Sequence, residues 1–473
     1  MLQIRQNSDE VIREADNLFR DLFPLCRSIT GNGVRQSLSI LRKITDFNIS
    51  EVPSRTQCYD WVIPDEWNII DAYIEDSSGK KIVDFEKNSL HVVNYSIPID
   101  TTISFNDLAE HINALPSLPD AIPYRTTYYK RAWGFCMTHN EYKNLDKNQH
   151  YHVVIDSSLK LGSLTYGEYL IRGESEKEIL FLTYCCHPSM GNDNLSGLVL
   201  WILLLKLLKN QKLHYSYRFI VAPETIGHIA YLSQNEKAMK NAIGGFILSC
   251  VAGPDKISYH QTFKGNSIID KAVLGVLDES KSDYTNYMFD INSGDEKHYS
   301  APFFRIPIGT ICKSKFFEYD FYHTSKDDLD FISSERLFET MLTYCRIIEK
   351  IEDFNASDFV SVDVVQTRNN DEHYYISLSP HCEPRLGARG LYPNLGGMIK
   401  QKLFKNHHYH DQKYKIDNTT YIDGITIDAM RWILFYSDGK TSLERISKIT
   451  SLSFELIQNA TKKLVSANLI RKE

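Results

Sequence analysis

TYCCHPSMGNDNLSG, residues 183–197, closes one apolar run, EILFLTYCC (178–186), and opens another at 196–208. A short continuous apolar run of β-formers that ends in turn residues is the signature of a strand buried on both faces. The second run is long enough and apolar enough for a core helix. His187 therefore stands where a strand gives way to a loop. Asp193 follows six residues on, between Asn192 and Asn194, and Ser196-Gly197 opens the helix. In open α/β sheets, ligands gather outside the carboxyl ends of strands. An imidazole and a carboxylate placed there together can hold a divalent ion, and mixed N/O donors suit zinc. The small Ser196 and Gly197 let the loop pack tightly on the helix. The alternative for a lone His–Asp pair is an ordinary loop hydrogen bond.

Outward from this stretch the same pattern repeats. HYHVVID, GEYLIRG, YRFIVAPE and GGFILSC read as strands, and 335–352 as a helix that closes the layer. Strands alternating with helices predict an α/β sheet covered by helices on both faces. Upstream, residues 9–45 have helical periodicity broken by SITGNGV. Residues 50–105 change to period two and predict a small antiparallel β unit, with Ser78-Gly79 as a hairpin turn. Residues 356–418 are polar and turn-prone. The stretch 419–473 predicts three helices and a terminal strand, the pattern of a winged helix.

Composition bounds the function. The 473 residues make about three domains at roughly 150 residues each. With 42% hydrophobic and 24% charged residues the chain can bury a core, which excludes disorder as its main state. The 53 basic residues against 60 acidic ones leave a net charge of −7, unsuited to general nucleic-acid binding. The final helical run carries only Lys462 and Lys463, too few cations on one face for phosphate contacts, so protein contact or homodimerisation is expected of the C-terminal unit rather than DNA recognition. The longest apolar stretch, 198–208, is too short to span a bilayer and is followed by lysine, and the N-terminus lacks an export pattern. Nine cysteines without a CxxC pair imply a reducing cytoplasm and no structural disulfides.

Two further segments join the His–Asp pair. RFIVAPETIG delivers Glu224 at a strand end, and YDFYHTSKDDLDFI delivers His323 before an acidic turn. A carboxylate beside an activated water can serve as general base and then as acid to the leaving amine.

The order H…NDNxSG…PE…YHT resembles the zinc aminopeptidase clan that includes bacterial leucyl aminopeptidases and glutamate carboxypeptidases. Over nearly its whole length the chain also resembles an uncharacterised bacterial family with an aminopeptidase-like domain and a winged-helix C-terminus, found in surface-polysaccharide gene sets. The blocks that carry this likeness include RSITGNGVR (27–35), YDWVIPDEW (59–67), HVVNYSIP (91–98), PETIG (223–227), SGDEKHYSAP (293–302), YHTSKDDLD (322–330) and EPRLGARGLYP (383–393). The resemblance implies a zinc-aminopeptidase-like mixed sheet with helices on both faces (1–49 and 106–355), an inserted small β domain (50–105), a linker region (356–418) and a winged helix (419–473). It implies His187, Asp193 and His323 as metal ligands, Asp193 in the bridging position, and Glu224 as general base. The substrate implied is a small peptide or an acylated amino sugar.

Departures from the clan's pattern matter. Thr225 stands where a second Glu would ligate a second metal, ILSCVAG offers Cys250 in place of an aspartate ligand, and Ser189 replaces the Asp of a His-x-Asp pair. One zinc ion is therefore expected rather than two, with Cys250 either a thiolate ligand or a buried strand cysteine. Asp295 and Glu296 line a pocket or form a solvated turn. Tyr322 lines the pocket or packs. Arg385 and Arg389 bind an acid or pin a loop, and HHYH (407–410) reads as solvated. The aromatics of the β unit, Trp61, Trp67, Tyr95 and Trp133, read chiefly as a small core.

Overall fold

The computed structural model describes residues 8–281, 283–354, 371–393, 396–397, 413–416 and 420–473. The N-terminal part runs α1 (Ser8–Leu22), α2 (Asn32–Ile44), β1 (Asn48–Pro53), β2 (Glu66–Glu75), β3 (Lys81–Asp84), β4 (Ile99–Ser104) and β5 (His150–Lys160). The middle runs β6 (Ser163–Ile171), β7 (Glu178–Tyr184), α3 (Gly197–Leu208), β8 (Ser216–Ala222), α4 (Ile226–Met239), β9 (Ala242–Leu248), β10 (Ile257–His260), α5 (Ile268–Ser280), β11 (Thr285–Tyr287), β12 (Ile308–Lys313) and α6 (Ser334–Glu352). The C-terminal part runs β13 (Tyr374–Ser377), α7 (Gly424–Tyr436), β14 (Asp438–Ser442), α8 (Leu443–Thr450), α9 (Phe454–Ser466) and β15 (Ile470–Lys472).

Eight strands form one mixed sheet in the order β1-β6-β8-β7-β9-β12-β10-β11. Its centre, β8-β7-β9-β12, is parallel, and the β1, β6 and β10 pairings add antiparallel neighbours. Strand β7 shows why the sheet sits where it does. Successive side chains on a strand point to opposite faces. Ile179 and Phe181 join the cluster with α1, α2, α3, α5 and α6, while Leu180 and Leu182 join the cluster with α4. Of the flanking strands, Phe219 stacks on Phe181 at 5.0 Å and Phe246 meets it tilted at 5.4 Å, and Trp201 of α3 meets Phe219 at 5.8 Å. Each such buried aromatic or aliphatic side chain contributes roughly 1.5–3 kcal/mol.

Helix α3 is apolar on nearly every face, with Lys206 in its last turn the one charged residue, because helices and sheet surround it. Residues Gly191–Leu208 have the length and mean hydropathy (1.2) of a membrane span, yet 89% of that stretch is buried inside the fold, as in a core helix. All nine cysteines are free.

Gly197 is where α3 meets the sheet. A Cβ there would lie 2.1 Å from Leu248 O and 2.3 Å from Asn194 Oδ1. The contact is with strand backbone, which cannot swing aside. Gly197→Ala is expected to destabilise the fold by about 3 kcal/mol, read as a lower denaturant midpoint at unchanged m-value.

The second sheet, β3-β2-β5-β4, is antiparallel throughout. Its long strand β5 comes from outside 50–105, and β1 pairs with β6 in the main sheet instead. Alternating patterns identify strands but not their partners, and β5 reads in sequence as the start of the α/β layer. In the C-terminal part, β13 from the stretch expected to be a linker pairs with both β14 and β15, and the three helices pack around Ile427, Met430, Ile433, Ile457 and Leu464. The HHYH run at 407–410 lies outside the described residues.

Candidate metal centre

Three parallel strands aim their carboxyl ends at one place. β7 runs into the loop with His187 and Asp193, β8 runs through Pro223 to Glu224, and β9 ends before Ser249 and Cys250. His323 arrives from the segment after β12. His187, Asp193 and His323 each bring one donor atom within 4.8 Å of the others. Asp193 Oδ2 is 3.0 Å from His323 Nε2 and 4.0 Å from His187 Nε2. Glu224 Oε2 is 3.9 Å from His187 Nε2. The four residues singled out in the sequence therefore converge, although they span more than 130 positions.

Two donors about 2.1 Å from one ion lie at most about 4.2 Å apart, and Asp193 Oδ2 satisfies that bound with both imidazoles. This oxygen is buried and accepts no hydrogen bond of good geometry. The donor set thus fits a cation. Burial opposes the Asp193 charge, but the two imidazoles and the Tyr184 hydroxyl bring its pKa down to about 2. Burial also lowers the pKa of His187, which keeps its imidazole neutral as ligation requires. Desolvation raises the pKa of Glu224, with Asp295 and Asp193 adding repulsion.

The surroundings fix these groups. Tyr184 Oη donates to Asp193 Oδ1 at 2.6 Å and lies 2.7 Å from Ser249 Oγ. Arg27, fully buried, donates through Nε to the carbonyl of His187 at 2.9 Å and through a terminal nitrogen to Leu22 O at 2.6 Å. Tyr124 lies against both imidazoles, with ring centroids at 5.1 and 5.2 Å, and its amide donates to His323 O at 2.8 Å. Tyr322 stacks on His323 at 3.9 Å and also lines the neighbouring cavity. Ser189, Thr225, Cys250 and His323 all have positive φ. For residues other than glycine this costs about 1–3 kcal/mol each and is concentrated at functional sites.

Asp327 was hidden in the acidic turn after His323. Fully buried, it accepts from the amides of Asn192 (2.6 Å) and Asp193 (3.0 Å) and from Tyr319 Oη (2.7 Å). It ties the Asp193 loop to the His323 segment. Asp327→Ala is expected to weaken metal binding about 10–100-fold, measured by competition with a chromophoric zinc chelator. Unchanged affinity would remove Asp327 from this role.

The departures now have physical explanations. Cys250 packs with Cys312, Phe316, Tyr319 and Tyr322, burial raises its thiol pKa, and it joins no metal-sized donor cluster among the described residues. It packs as a buried strand-end cysteine. Thr225 starts α4 and donates its amide to Asp295 Oδ1 at 2.8 Å. Asp295 is therefore no solvated turn: it is fully buried, with His228 at 3.4 Å and His298 at 3.7 Å. Ser189 Oγ pairs with Ser89 Oγ at 2.6 Å, and the other nitrogen of His187 lies 3.4 Å from Cys186 Sγ rather than against a carboxylate. Arg389 grips Asp60 with two 2.7 Å bonds, and Arg385 lies over Tyr129 at 4.3 Å, so both pin the 383–393 segment. Trp61 lines the cavity and donates to Glu383 O at 2.8 Å, whereas Trp67 belongs to the core.

Comparison with known proteins agrees with this architecture. Residues 16–354 match a family described as a domain of unknown function, DUF4910. A Clostridium acetobutylicum protein, provisionally assigned to polysaccharide biosynthesis and carrying an aminopeptidase-like domain, is 42% identical over 466 residues, 98% of each chain. The crystal structure of a protein from the same organism, provisionally assigned as a peptidase, superposes with a TM-score of 0.72 at 40% identity, covering 99% of this chain and 98% of that one. A zinc aminopeptidase from Bacillus subtilis superposes with a TM-score of 0.52 at 13% identity, over 73% of this chain and 98% of that one, a likeness of fold. A mixed sheet on the aminopeptidase plan, with the match running from α1 through α6, makes this chain a member of the DUF4910 family.

Proposed function

We propose that the chain is a metal-dependent hydrolase of a small amide or peptide bond, with one zinc ion held by His187, Asp193 and His323. The observation that carries this reading is the convergence of two imidazoles and a buried carboxylate oxygen within 4.8 Å, with Glu224 Oε2 at 3.9 Å from one imidazole. When bound, zinc supplies Lewis acidity that acidifies water and polarises a carbonyl. The chain's own groups do the rest. Tyr184 and Asp327 hold Asp193 in place. Glu224, its side chain 36% exposed to the cavity, takes a proton on Oε2 and returns it to the leaving nitrogen. Its raised pKa suits both halves of that task near neutral pH.

One ion is favoured over two. Thr225 offers a neutral hydroxyl where a second carboxylate would be needed, and its backbone is committed to Asp295. The substrate classes we favour are a short peptide and an acylated amino sugar. The second finds support in the assignment of the Clostridium relative. The test is a zinc titration of metal-free protein against a panel of aminoacyl anilides and N-acyl amino sugars. Turnover is expected to rise with the first equivalent and level off before the second. Full turnover by metal-free protein would refute the reading.

A further inference from the structure

A cavity of about 270 Å³ adjoins the candidate centre, sharing Glu224 and Thr225 with the space over His187 and His323. Its volume is just below the roughly 300–1,000 Å³ usual for small-molecule sites, enough for a small ligand or one ring of a larger one. Its walls bring together distant parts of the chain, among them Trp61, the turn around Ser293–Lys297, and Arg431 of α7. Glu296 and Ser293, 2% and 4% exposed, line it. One carboxylate oxygen of Glu296 accepts from Thr310 Oγ1. The other, Oε2, and Ser293 Oγ make no hydrogen bond of good geometry, although the hydroxyl lies near enough to stabilise the Glu296 charge. Buried polar atoms normally find partners, and an unpaired one in a cavity wall calls for an explanation, which a ligand's polar group would supply. Lys297 Nζ adds a donor, held by Ser293 O at 3.2 Å, and Arg431 is locked in place by Glu383 (2.7 Å) and Ile291 O (2.9 Å). Trp61 and Tyr322 add aromatic surface.

This lining mixes acceptors, a donor and aromatic faces. It is a poor match for an aliphatic side chain, which would leave the buried Glu296 Oε2 and Ser293 Oγ without partners. A sugar ring presents a rim of hydroxyls, each both donor and acceptor, around an apolar C–H face. We propose that this cavity is the specificity pocket and takes the sugar ring of the substrate, with Glu296 accepting from one hydroxyl and Lys297 donating to another. The assignment deepens the hydrolase reading by choosing the acylated amino sugar over the peptide, and its binding chemistry stands apart from turnover.

The test is calorimetric titration of the zinc-loaded full chain with N-acetylglucosamine and, separately, leucinamide. N-acetylglucosamine is expected to bind the wild type, and Glu296→Gln to weaken it about ten- to a hundredfold, the effect of losing a hydrogen bond to a charged group. Ser293→Ala, which keeps the packing of the turn, is expected to weaken it several-fold, with thermal midpoints checking that both variants fold. Leucinamide affinity is expected to be the same for wild type and Glu296→Gln. Three results would overturn the proposal: no binding of N-acetylglucosamine, binding indifferent to Glu296, or leucinamide losing affinity in Glu296→Gln, which would make Glu296 an amine anchor. Sugar binding through Glu296 without hydrolysis of any amide would leave the pocket standing and remove the hydrolase reading. Hydrolysis with Glu296 indifferent to the sugar would do the reverse.

Discussion

Glu224→Gln protein is expected to keep its zinc and lose turnover by about a thousandfold, within the 10²–10⁴ range that a positioned general base contributes. That is about 4 kcal/mol of barrier. The substitution is close to isosteric, and the side chain faces the cavity at 36% exposure, so no core contact is lost. Removing the charge also relieves repulsion with Asp295 and Asp193, so the folded state is expected to be as stable as the wild type or slightly more so. The measurement is kcat and zinc content on the same preparation. Turnover within threefold of wild type would exclude Glu224 as the base. Loss of zinc together with turnover would make it a ligand.

Asp193→Asn is expected to lower zinc affinity at least a hundredfold, beyond the effect of losing a supporting residue. Asp193 supplies the only anionic oxygen of the three-donor cluster, and both imidazoles face its Oδ2. An amide has no charge to offer and presents either a weaker acceptor or an N–H to the cation. Tyr184 still keeps Ser249 as a partner, so the variant is expected to fold. Competition with a chromophoric chelator reads the affinity, and circular dichroism checks the fold. Wild-type affinity in this variant would mean that the ion sits elsewhere.

The fold and the centre were legible in the sequence to different depths. EILFLTYCC could be read as a doubly buried strand because its apolar side chains fill both faces of a parallel sheet, its polar Glu178 and Thr183 being buried with partners, Glu178 with Arg218 and Thr183 with Leu248 O. His187 and Glu224 were legible because each follows the carboxyl end of a buried strand, and neighbouring parallel strands share one edge. Asp193 follows in the same loop as His187, and His323, in a turn segment after β12, was legible from its motif. What holds them was not. Asp327 sits 134 residues from the amide of Asp193 that it binds, and Arg27 sits 160 residues from the carbonyl of His187. Nothing local distinguishes Asp327 from the two acidic residues near it, since its role depends on a backbone amide brought in by the tertiary fold. Strand β5 illustrates the same limit for sheets: period two announces a strand but leaves its partners open. The cavity beside the centre was beyond sequence reading for the same reason, because Trp61, Glu296 and Arg431 meet only once α7 packs against the segment around Ile291 and Asn292.

The proposed centre is one cation held by two imidazoles and a carboxylate. X-ray absorption at the zinc edge, on protein loaded with one equivalent, tests it most directly. A shell of nitrogen and oxygen scatterers at about 2.0–2.2 Å with resolved imidazole scattering and no sulfur is expected, and the imidazole signal should fall in His323→Ala. A sulfur scatterer at about 2.3 Å would bring Cys186 or Cys250 into the shell. An imidazole signal unchanged in His323→Ala would place the ion away from the proposed centre. Either result would contradict the account.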